Sequence, residues 1–310
     1  MEYDSFRAMN SEILMAAEGP AAVQGFEYAR NFIEAAERRF TRFSQTSELV
    51  HINRSTGGWV TVSQEMFDLM QTALACHTAT DGLFDPTILP DLENAGYTKS
   101  MDELRLSGAD PLHATRSQLE RIPFNSIELC SADLSIRMPP GMRLDLGGIA
   151  KGWIAEQAAR KLANFSPACA VSAGGDMFLI GTPAGTTNWE IGLEDPRQPS
   201  QDLLTLDVED GAVATSSVMK RVWQQGDTAR HHLIDPRTGE PAITPWSSVT
   251  VLAPAAASAE VFAKAFLIGG PACAQELIEK NPQITYLAVD DKAQVWVPEN
   301  GACVRLNLVS

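Results

Sequence analysis

Long apolar runs are missing from this chain, and so is a surplus of basic residues. No uninterrupted apolar stretch is long enough to span a bilayer, and the first residues, MEYD, lack the basic start and apolar block of a secretory signal. We therefore expect no transmembrane segment and a cytoplasmic location, or a periplasmic one if a signal has been removed. The 24 Lys and Arg against 39 Asp and Glu give a net charge of −15, which repels nucleic-acid phosphate and argues against DNA or RNA binding.

Paired cysteine motifs are absent as well. The five cysteines show no CxxC spacing, so neither a zinc site nor a disulfide framework is indicated. What is present is an ordinary globular composition, with 45% hydrophobic and 20% charged residues in a chain of 310. No repeat, low-complexity tract or linker-like composition divides it. We predict that residues 1–310 form a single domain of two closely joined lobes.

Apolar periodicity predicts helices in the first half of the chain and mostly strands in the second. Steps of three and four between Ala22 and Phe40 predict an amphipathic helix, and Ser63 is a plausible N-cap for a second helix that runs toward Gly82. Strands are predicted at 168–172, 178–180, 189–193, 203–208, 249–252 and 284–289, and a helix at 258–268. Because strands follow one another with few helices between them, an α+β fold with antiparallel pairing is favoured over a doubly wound sheet.

Two glycine pairs follow predicted strands. Residues 145–152, DLGGIAKG, combine a tight turn with a helix start whose free N–H groups suit an anion, and Lys151 adds a positive charge. A purely structural turn is the alternative. Residues 173–176, AGGD, look like the start of a dinucleotide fingerprint, but the next residues, MFLI, predict a strand. A Rossmann phosphate site needs a helix there, so that interpretation is disfavoured.

Two further loops carry side chains capable of chemistry. Residues 231–239 hold two histidines, an aspartate and an arginine within one predicted hairpin, which fits either a surface turn or an acid–base site. Residues 81–87, DGLFDPT, fit either a helix stop followed by a turn, or a loop whose aromatic ring and carboxylate hold an adenosine-like group.

Taken in this order, the segments resemble the motifs of the ApbE family, the FAD:protein FMN transferases. The matching stretches are FS, SEL and N within 43–53, GLFDPT at 82–87, DLGGIAKG at 145–152, GGD at 174–176, ATS at 214–216, HLIDPRTG at 232–239 and SVTV at 248–251. The agreement runs from about Met9 to beyond Gly269, nearly the whole chain. Single motifs are unspecific, but seven in the right order are hard to obtain by chance.

The resemblance implies an ApbE-like α+β fold, related to the T-fold, with an antiparallel sheet core and flanking helices. It implies FAD bound in an extended pose between the lobes, and chemistry that uses a divalent metal, usually Mg²⁺. Such enzymes split the pyrophosphate of FAD, release AMP and attach FMN to a Thr or Ser of an acceptor protein. Some relatives hydrolyse FAD to FMN and AMP instead.

The resemblance also assigns roles to residues of this chain. His232 is the implied general base, and Asp235 would orient it or the nucleophile. Lys151 would contact phosphate, and Phe84 and Asp85 would lie near the adenosine half. The implied cofactor-binding residues are Met9, Phe84, Asp85, Asp145, Gly148, Lys151, Gly174, Gly175, Asp176, Thr215, Ser216 and Arg237.

The chain departs from the family at the metal site. The family pattern after SVTV is ADALAT, whose Asp and Thr ligate the metal together with a carbonyl that corresponds to Ala150. Here Glu260 and Lys264 stand at those two positions. A protonated lysine cannot ligate Mg²⁺, so its ammonium either occupies the place of the cation or forms an exposed i,i+4 pair with Glu260.

Two other motifs also differ. Ser217 and Val218 replace the Gly and Asp of the family's ATSGD, and Met9-Asn10-Ser11 stands where the family usually has MGT. These changes concern activity more than flavin binding. An FAD pyrophosphatase and a catalytically weakened FAD-binding protein are therefore the alternatives to a transferase.

Overall fold

The molecule is built on a nine-stranded sheet in which every pair of neighbours is antiparallel. The computed structural model describes residues 1–55, 57–107, 121–225, 228–299 and 302–306. The strands of these residues are, in chain order, β1 Glu2–Ala8, β2 Ser11–Ala17, β3 Trp59–Thr61, β4 Glu128–Cys130, β5 Ser135–Arg137, β6 Cys169–Ala173, β7 Asp176–Ile180, β8 Trp189–Asp195, β9 Gln198–Val208, β10 Gly211–Ser217, β11 Val222–Gln225, β12 Thr228–His231, β13 Ile234–Asp235, β14 Glu240–Pro241, β15 Trp246–Ala253, β16 Thr285–Asp290, β17 Val295–Glu299 and β18 Ala302–Leu306. The order in the large sheet is β1-β2-β6-β7-β10-β15-β16-β17-β18. The predicted α+β class is confirmed, as is the strand in place of a Rossmann helix after Gly175.

The helices of the described residues are α1 Ala22–Phe40, α2 Glu48–Asn53, α3 Gln64–Ala79, α4 Leu89–Asn94, α5 Met101–Ser107, α6 Ala150–Leu162 and α7 Ala256–Lys280. Three of them, α1, α6 and α7, pack on one face of the sheet. The apolar positions of α1 are buried in the core, and the Ser63 hydroxyl accepts a hydrogen bond from Met66 N at 3.2 Å at the start of α3. Both helices that periodicity and capping predict are therefore confirmed.

The other face of the sheet is covered by the β8–β9 hairpin. Trp189 and Val208 of the hairpin are buried against Leu179 and Val213 of the large sheet. The sheet thus lies between a helical layer and a second, two-stranded layer, so apolar side chains on both of its faces are buried. The division of residues 1–310 into two joined lobes of one domain stays a prediction.

Helix α7 is longer than the predicted helix at 258–268 and is broken by a kink. Gly270 has φ 72° and ψ −173° inside it, and Pro271 follows. A residue with positive φ and a proline both interrupt helical hydrogen bonding, so the predicted helix corresponds to the segment before the kink. By length and composition α7 is the one described helix that could cross a membrane, but most of its apolar window is buried, and it packs on β10 and β15 as a core helix does.

Candidate functional site

A cleft opens where the loops of the recognised motifs meet the first turns of α6 and the middle of α7. Its volume is about 1170 Å³, including the part open to solvent, and it is lined mainly by apolar atoms. Four aromatic rings line it, from Phe40, Phe43, Phe84 and Tyr97. Its cationic side chains are Arg42, Lys151, Arg221 and Lys264. The carboxylates of Glu37, Asp85 and Asp145 also line the cleft, so four cations stand against three anions. In a chain with a net charge of −15, this small local excess of positive charge suits an aromatic anion.

The Gly-rich turn at 145–149 forms the floor of the cleft. The Asp145 carboxylate accepts a hydrogen bond from Gly147 N at 2.8 Å and pairs with Arg42 Nε at 2.6 Å, and Asp145 N donates to Pro86 O at 2.8 Å. The Arg42 side chain is only 6% exposed. Asp145 therefore connects three loops by its hydrogen bonds and ion pair. The turn places the N-terminus of α6, with its partial positive charge, at the cleft.

Close packing at Gly148 brings three motifs into contact. A Cβ at this position would lie 3.4 Å from Phe84 Cε2, 3.6 Å from Lys264 Cδ and 3.7 Å from Lys264 Cε. The turn, the aromatic loop and α7 are thus in van der Waals contact. The aliphatic stem of Lys264 is consequently held against the backbone of the turn.

Glu260 and two lysines form a buried charge cluster at the base of the cleft. Glu260 is fully buried, and its carboxylate accepts hydrogen bonds from Lys151 Nζ at 3.1 Å, Lys264 Nζ at 2.9 Å and Gly152 N at 2.8 Å. Lys151 Nζ also pairs with the buried carboxylate of Asp176. Both lysine side chains are 13% exposed, so the alternative of an exposed Glu260–Lys264 pair is wrong.

Burial and charge act against each other on the pKa values of this cluster. Burial raises the pKa of Glu260, but Lys151, Lys264 and the Gly152 N–H outweigh it and bring the pKa to about 2. Burial lowers the pKa of Lys151 to about 8, because the attraction of Glu260 offsets it only in part, and it lowers the pKa of Lys264 in the same way. At neutral pH Glu260 is therefore ionised and Lys151 is largely protonated.

His232 is half-buried in the wall of the cleft. Burial lowers its pKa well below the usual 6.5, and the positive charges of Arg221, Lys264, His231 and Lys151 lower it further. Its Nδ1 is buried and has no hydrogen-bond partner among the described residues. The imidazole is thus neutral at pH 7, so one of its ring nitrogens can accept a proton from a ligand in the cleft.

Asp235 is hydrogen-bonded to Arg237. Arg237 Nη2 lies 2.7 Å from Oδ2 of the carboxylate and Nε lies 2.9 Å from Oδ1, and Arg237 N donates to Oδ1 at 2.9 Å. Neither residue is part of the lining of the cleft. The pair closes the turn of the 232–239 motif, and the roles predicted for Asp235 in catalysis and Arg237 in cofactor binding stay predictions.

Met9, Phe84 and Asp85, which are predicted to bind the cofactor, line the cleft, and so does Ala150, which is predicted to bind the metal. Met9 has φ 54°, and its N–H donates to Glu37 Oε1 at 2.6 Å. The Asp85 carboxylate accepts from Thr87 N at 2.8 Å, which caps the short helical turn Pro86–Ile88.

Other predicted cofactor-binding residues lie outside the lining. Gly174 and Gly175 form the β6–β7 turn, and Gly174 packs on Ser11. Thr215 Oγ1 and Thr250 Oγ1 share a hydrogen bond of 2.8 Å between β10 and β15, and Ser216 is buried in β10. Asp176 pairs with Lys151, which does line the cleft. The cofactor-binding role of these residues stays a prediction.

Two arginines of the cleft have no counterpart in the sequence predictions. The Arg42 guanidinium lies 4.2 Å from the Phe43 ring centroid and 4.7 Å from that of Tyr97, and its Nη2 donates to Tyr97 O at 2.7 Å. Arg221 lies in the turn before β11 with φ 52°. Arg42 directly precedes the FS motif, which could have marked it, whereas a turn arginine such as Arg221 carries no periodic signal.

The residues present do not fit a magnesium ion. Among the described parts of the chain, no group of three or more His, Cys, Asp and Glu side chains could hold a metal. Glu260 is the acidic residue at the family's metal position, and its carboxylate accepts hydrogen bonds from two ammonium groups and a backbone N–H. Mg²⁺ prefers about six oxygen ligands, and here it would have to enter as a third cation beside the ammonium groups of Lys151 and Lys264.

Aromatic walls, fixed cations and a neutral imidazole define an enzyme site for a flat, anionic, nucleotide-like molecule. The chain belongs to the ApbE family, whose model matches residues 9–288. It is 29% identical to the FAD:protein FMN transferase of Treponema pallidum, over 88% of this chain and 78% of that protein. It is 22% identical to the FAD:protein FMN transferase of Escherichia coli K12, over 86% and 77%.

Solved structures agree with this assignment. The crystal structure of the ApbE protein of Thermotoga maritima superposes with a TM-score of 0.83 at 25% identity, covering 96% of this chain and 97% of that one. The flavin transferase ApbE of Vibrio cholerae gives a TM-score of 0.78 at 21% identity, covering 98% and 96%, which bears on the fold alone. The predicted ApbE-like architecture is confirmed.

Proposed function

We propose that this chain is an FAD:protein FMN transferase, which moves FMN from FAD to a Thr or Ser hydroxyl of an acceptor protein and releases AMP. One observation carries the proposal: the neutral His232, with an unpartnered ring nitrogen, stands in one cleft with the cations Lys151, Arg221 and Lys264. A proton acceptor beside fixed positive charges is what attack on a diphosphate requires.

The reaction follows from these groups. The acceptor hydroxyl oxygen attacks the phosphorus on the FMN side of FAD, and the bond to the bridging oxygen breaks. His232 takes the hydroxyl proton as the new P–O bond forms. AMP leaves with the bridging oxygen, and FMN remains joined to the acceptor as a phosphoester. The cations of the cleft offset the negative charge that builds up on the phosphoryl oxygens.

The flavin and adenine would use the apolar walls of the cleft. Phe84 stands beside Gly148, and Phe43 and Tyr97 flank Arg42, so flat rings have aromatic surfaces on which to pack. The names of the relatives support FAD as the donor and a protein as the acceptor. Magnesium takes no part in the proposed steps. The identity of the acceptor motif and the cytoplasmic location stay predictions.

Two neighbouring histidines give a matched test. Replacing His232 with alanine should lower AMP release and acceptor flavinylation by about 10²–10⁴, while FAD affinity stays within about tenfold, because a general base acts mainly on the rate. His231 is held by the backbone, with its Nε2 3.2 Å from Ala242 O, so His231→Ala should keep turnover. Full activity of His232→Ala together with loss in His231→Ala would refute the assignment. AMP release without an acceptor, at the same rate as with one, would indicate an FAD pyrophosphatase instead.

A further inference from the structure

The Lys264 ammonium has unused hydrogen-bonding capacity that faces the cleft. An ammonium carries three N–H donors. Among the described residues, the acceptors of Lys264 Nζ are two oxygens of Glu260, the carboxylate Oε1 at 2.9 Å and the carbonyl O at 3.4 Å. Lys264 lines the cleft, so a further N–H is available to an oxygen of a ligand there.

Its position is fixed by packing on one side and by charge on the other. The methylenes of Lys264 lie against Gly148, and Glu260, one helical turn earlier, holds the nitrogen. Because rotation of the long side chain is restricted in this way, little conformational entropy remains to be lost when an anion binds. The arrangement is a preorganised positive charge beside the Gly-rich turn.

The same contacts leave no place for a divalent cation at Glu260. A metal would have to displace Lys264 and Lys151 from the carboxylate and then remain close to both ammonium groups. The repulsion between a divalent ion and two ammonium groups in a poorly solvated site opposes that exchange. A divalent metal in the role that the family implies therefore cannot bind in this chain while Lys264 keeps this position.

We propose that the Lys264 ammonium binds the diphosphate of FAD where relatives would use a divalent metal, so that FAD binding by this chain does not depend on Mg²⁺. The inference rests on the proposed function, because it takes FAD as the ligand. In this chain the Lys264 side chain, and not a metal ion, recognises the diphosphate.

The first experiment uses the unaltered protein. Its FAD affinity is measured by flavin fluorescence in EDTA and in MgCl₂ at matched ionic strength, and Mg²⁺ is titrated into the flavin-free protein by calorimetry. We expect the two FAD affinities to agree within about twofold and Mg²⁺ to show no saturable binding. FAD binding that collapses in EDTA and recovers with Mg²⁺ would overturn the inference and leave the proposed function standing. Absence of FAD binding in both buffers would overturn both.

The second experiment changes the side chain. Lys264→Thr should weaken FAD binding in EDTA by about 10- to 100-fold, the range for a hydrogen bond to a charged group, and binding should now tighten when Mg²⁺ is added. The control is Lys280→Thr, on the same helix, where the ammonium forms an exposed pair with Asp81 outside the cleft. It should bind FAD as the unaltered protein does. Equal FAD affinity of Lys264→Thr and Lys280→Thr in EDTA would overturn the inference.

Discussion

Replacing Glu260 with glutamine removes the carboxylate that Lys151 and Lys264 share, while the shape of the side chain is kept. Glu260 is 0% exposed and accepts three hydrogen bonds. The amide has no charge with which to offset the two ammonium groups. Lys264 then loses its ion pair with Glu260, whereas Lys151 keeps its pair with Asp176. We expect a large loss of stability, because a buried charge is left without a counter-charge.

The pKa of Glu260 sets the size of this loss. It lies at about 2, against an ordinary value of 4.5, because the two lysines and the Gly152 N–H outweigh burial. Since a tenfold change in proton affinity corresponds to about 1.36 kcal/mol, ionised Glu260 stabilises the fold by about 3 kcal/mol. A carboxylate with a lowered pKa stabilises fully above the unfolded pKa, and its contribution is lost as the pH falls below 4.5 toward 2.

Urea unfolding at two pH values measures this contribution. Glu260→Gln should lower the free energy of unfolding by about 3 kcal/mol at neutral pH and by about half as much near pH 3. The control is Glu276→Gln on the exposed side of the same helix, which should change stability by less than about 0.5 kcal/mol. A loss below about 1 kcal/mol at neutral pH, or a loss that stays constant at acid pH, would refute the charge cluster as described.

Three further outcomes are expected. FAD should bind more tightly than FMN, because FMN lacks the AMP half, and equal affinities in a fluorescence titration would contradict the assignment of the cleft. FAD affinity should weaken as the pH rises through about 8, because burial brings the pKa of Lys151 to about 8 and its charge is lost above that value. An FAD affinity that stays constant from neutral to alkaline pH would exclude a role of the Lys151 charge in binding. Gly152→Ala should lower the free energy of unfolding by about 1–3 kcal/mol, because a Cβ would lie 2.4 Å from Ala256 O, whereas Gly58→Ala meets nothing within 4 Å and should be neutral in thermal unfolding.

Local sequence patterns were sufficient to predict the helices and the motif loops. Helix α1 has an unbroken apolar stripe, and α3 has a serine cap, so both could be predicted from neighbouring residues. Strand β1 could not, because it is an edge strand in which only Ala8 is buried and the apolar alternation is weak. The order of the nine strands depends on pairings distant in sequence, which periodicity does not encode.

Part of the candidate site could likewise be predicted from the sequence, and part could not. The motifs predicted that Phe84, Gly148, Lys151 and His232 share a site, and the structure places all four in the lining of the cleft. It could not be predicted that Asp235 is taken by Arg237, since that depends on side-chain geometry within the turn. The choice between an exposed and a buried Lys264 likewise required the packing of α7 against α6.

The transfer itself is tested most directly by counting its two products together. The protein is incubated with FAD and an acceptor protein that carries a Ser- or Thr-containing flavinylation motif, and AMP and covalently bound FMN are quantified from the same sample. We expect equal amounts of AMP and of flavin joined to the acceptor, and loss of both in His232→Ala. AMP without covalent flavin, or flavin bound with neither product formed, would contradict the proposed transfer.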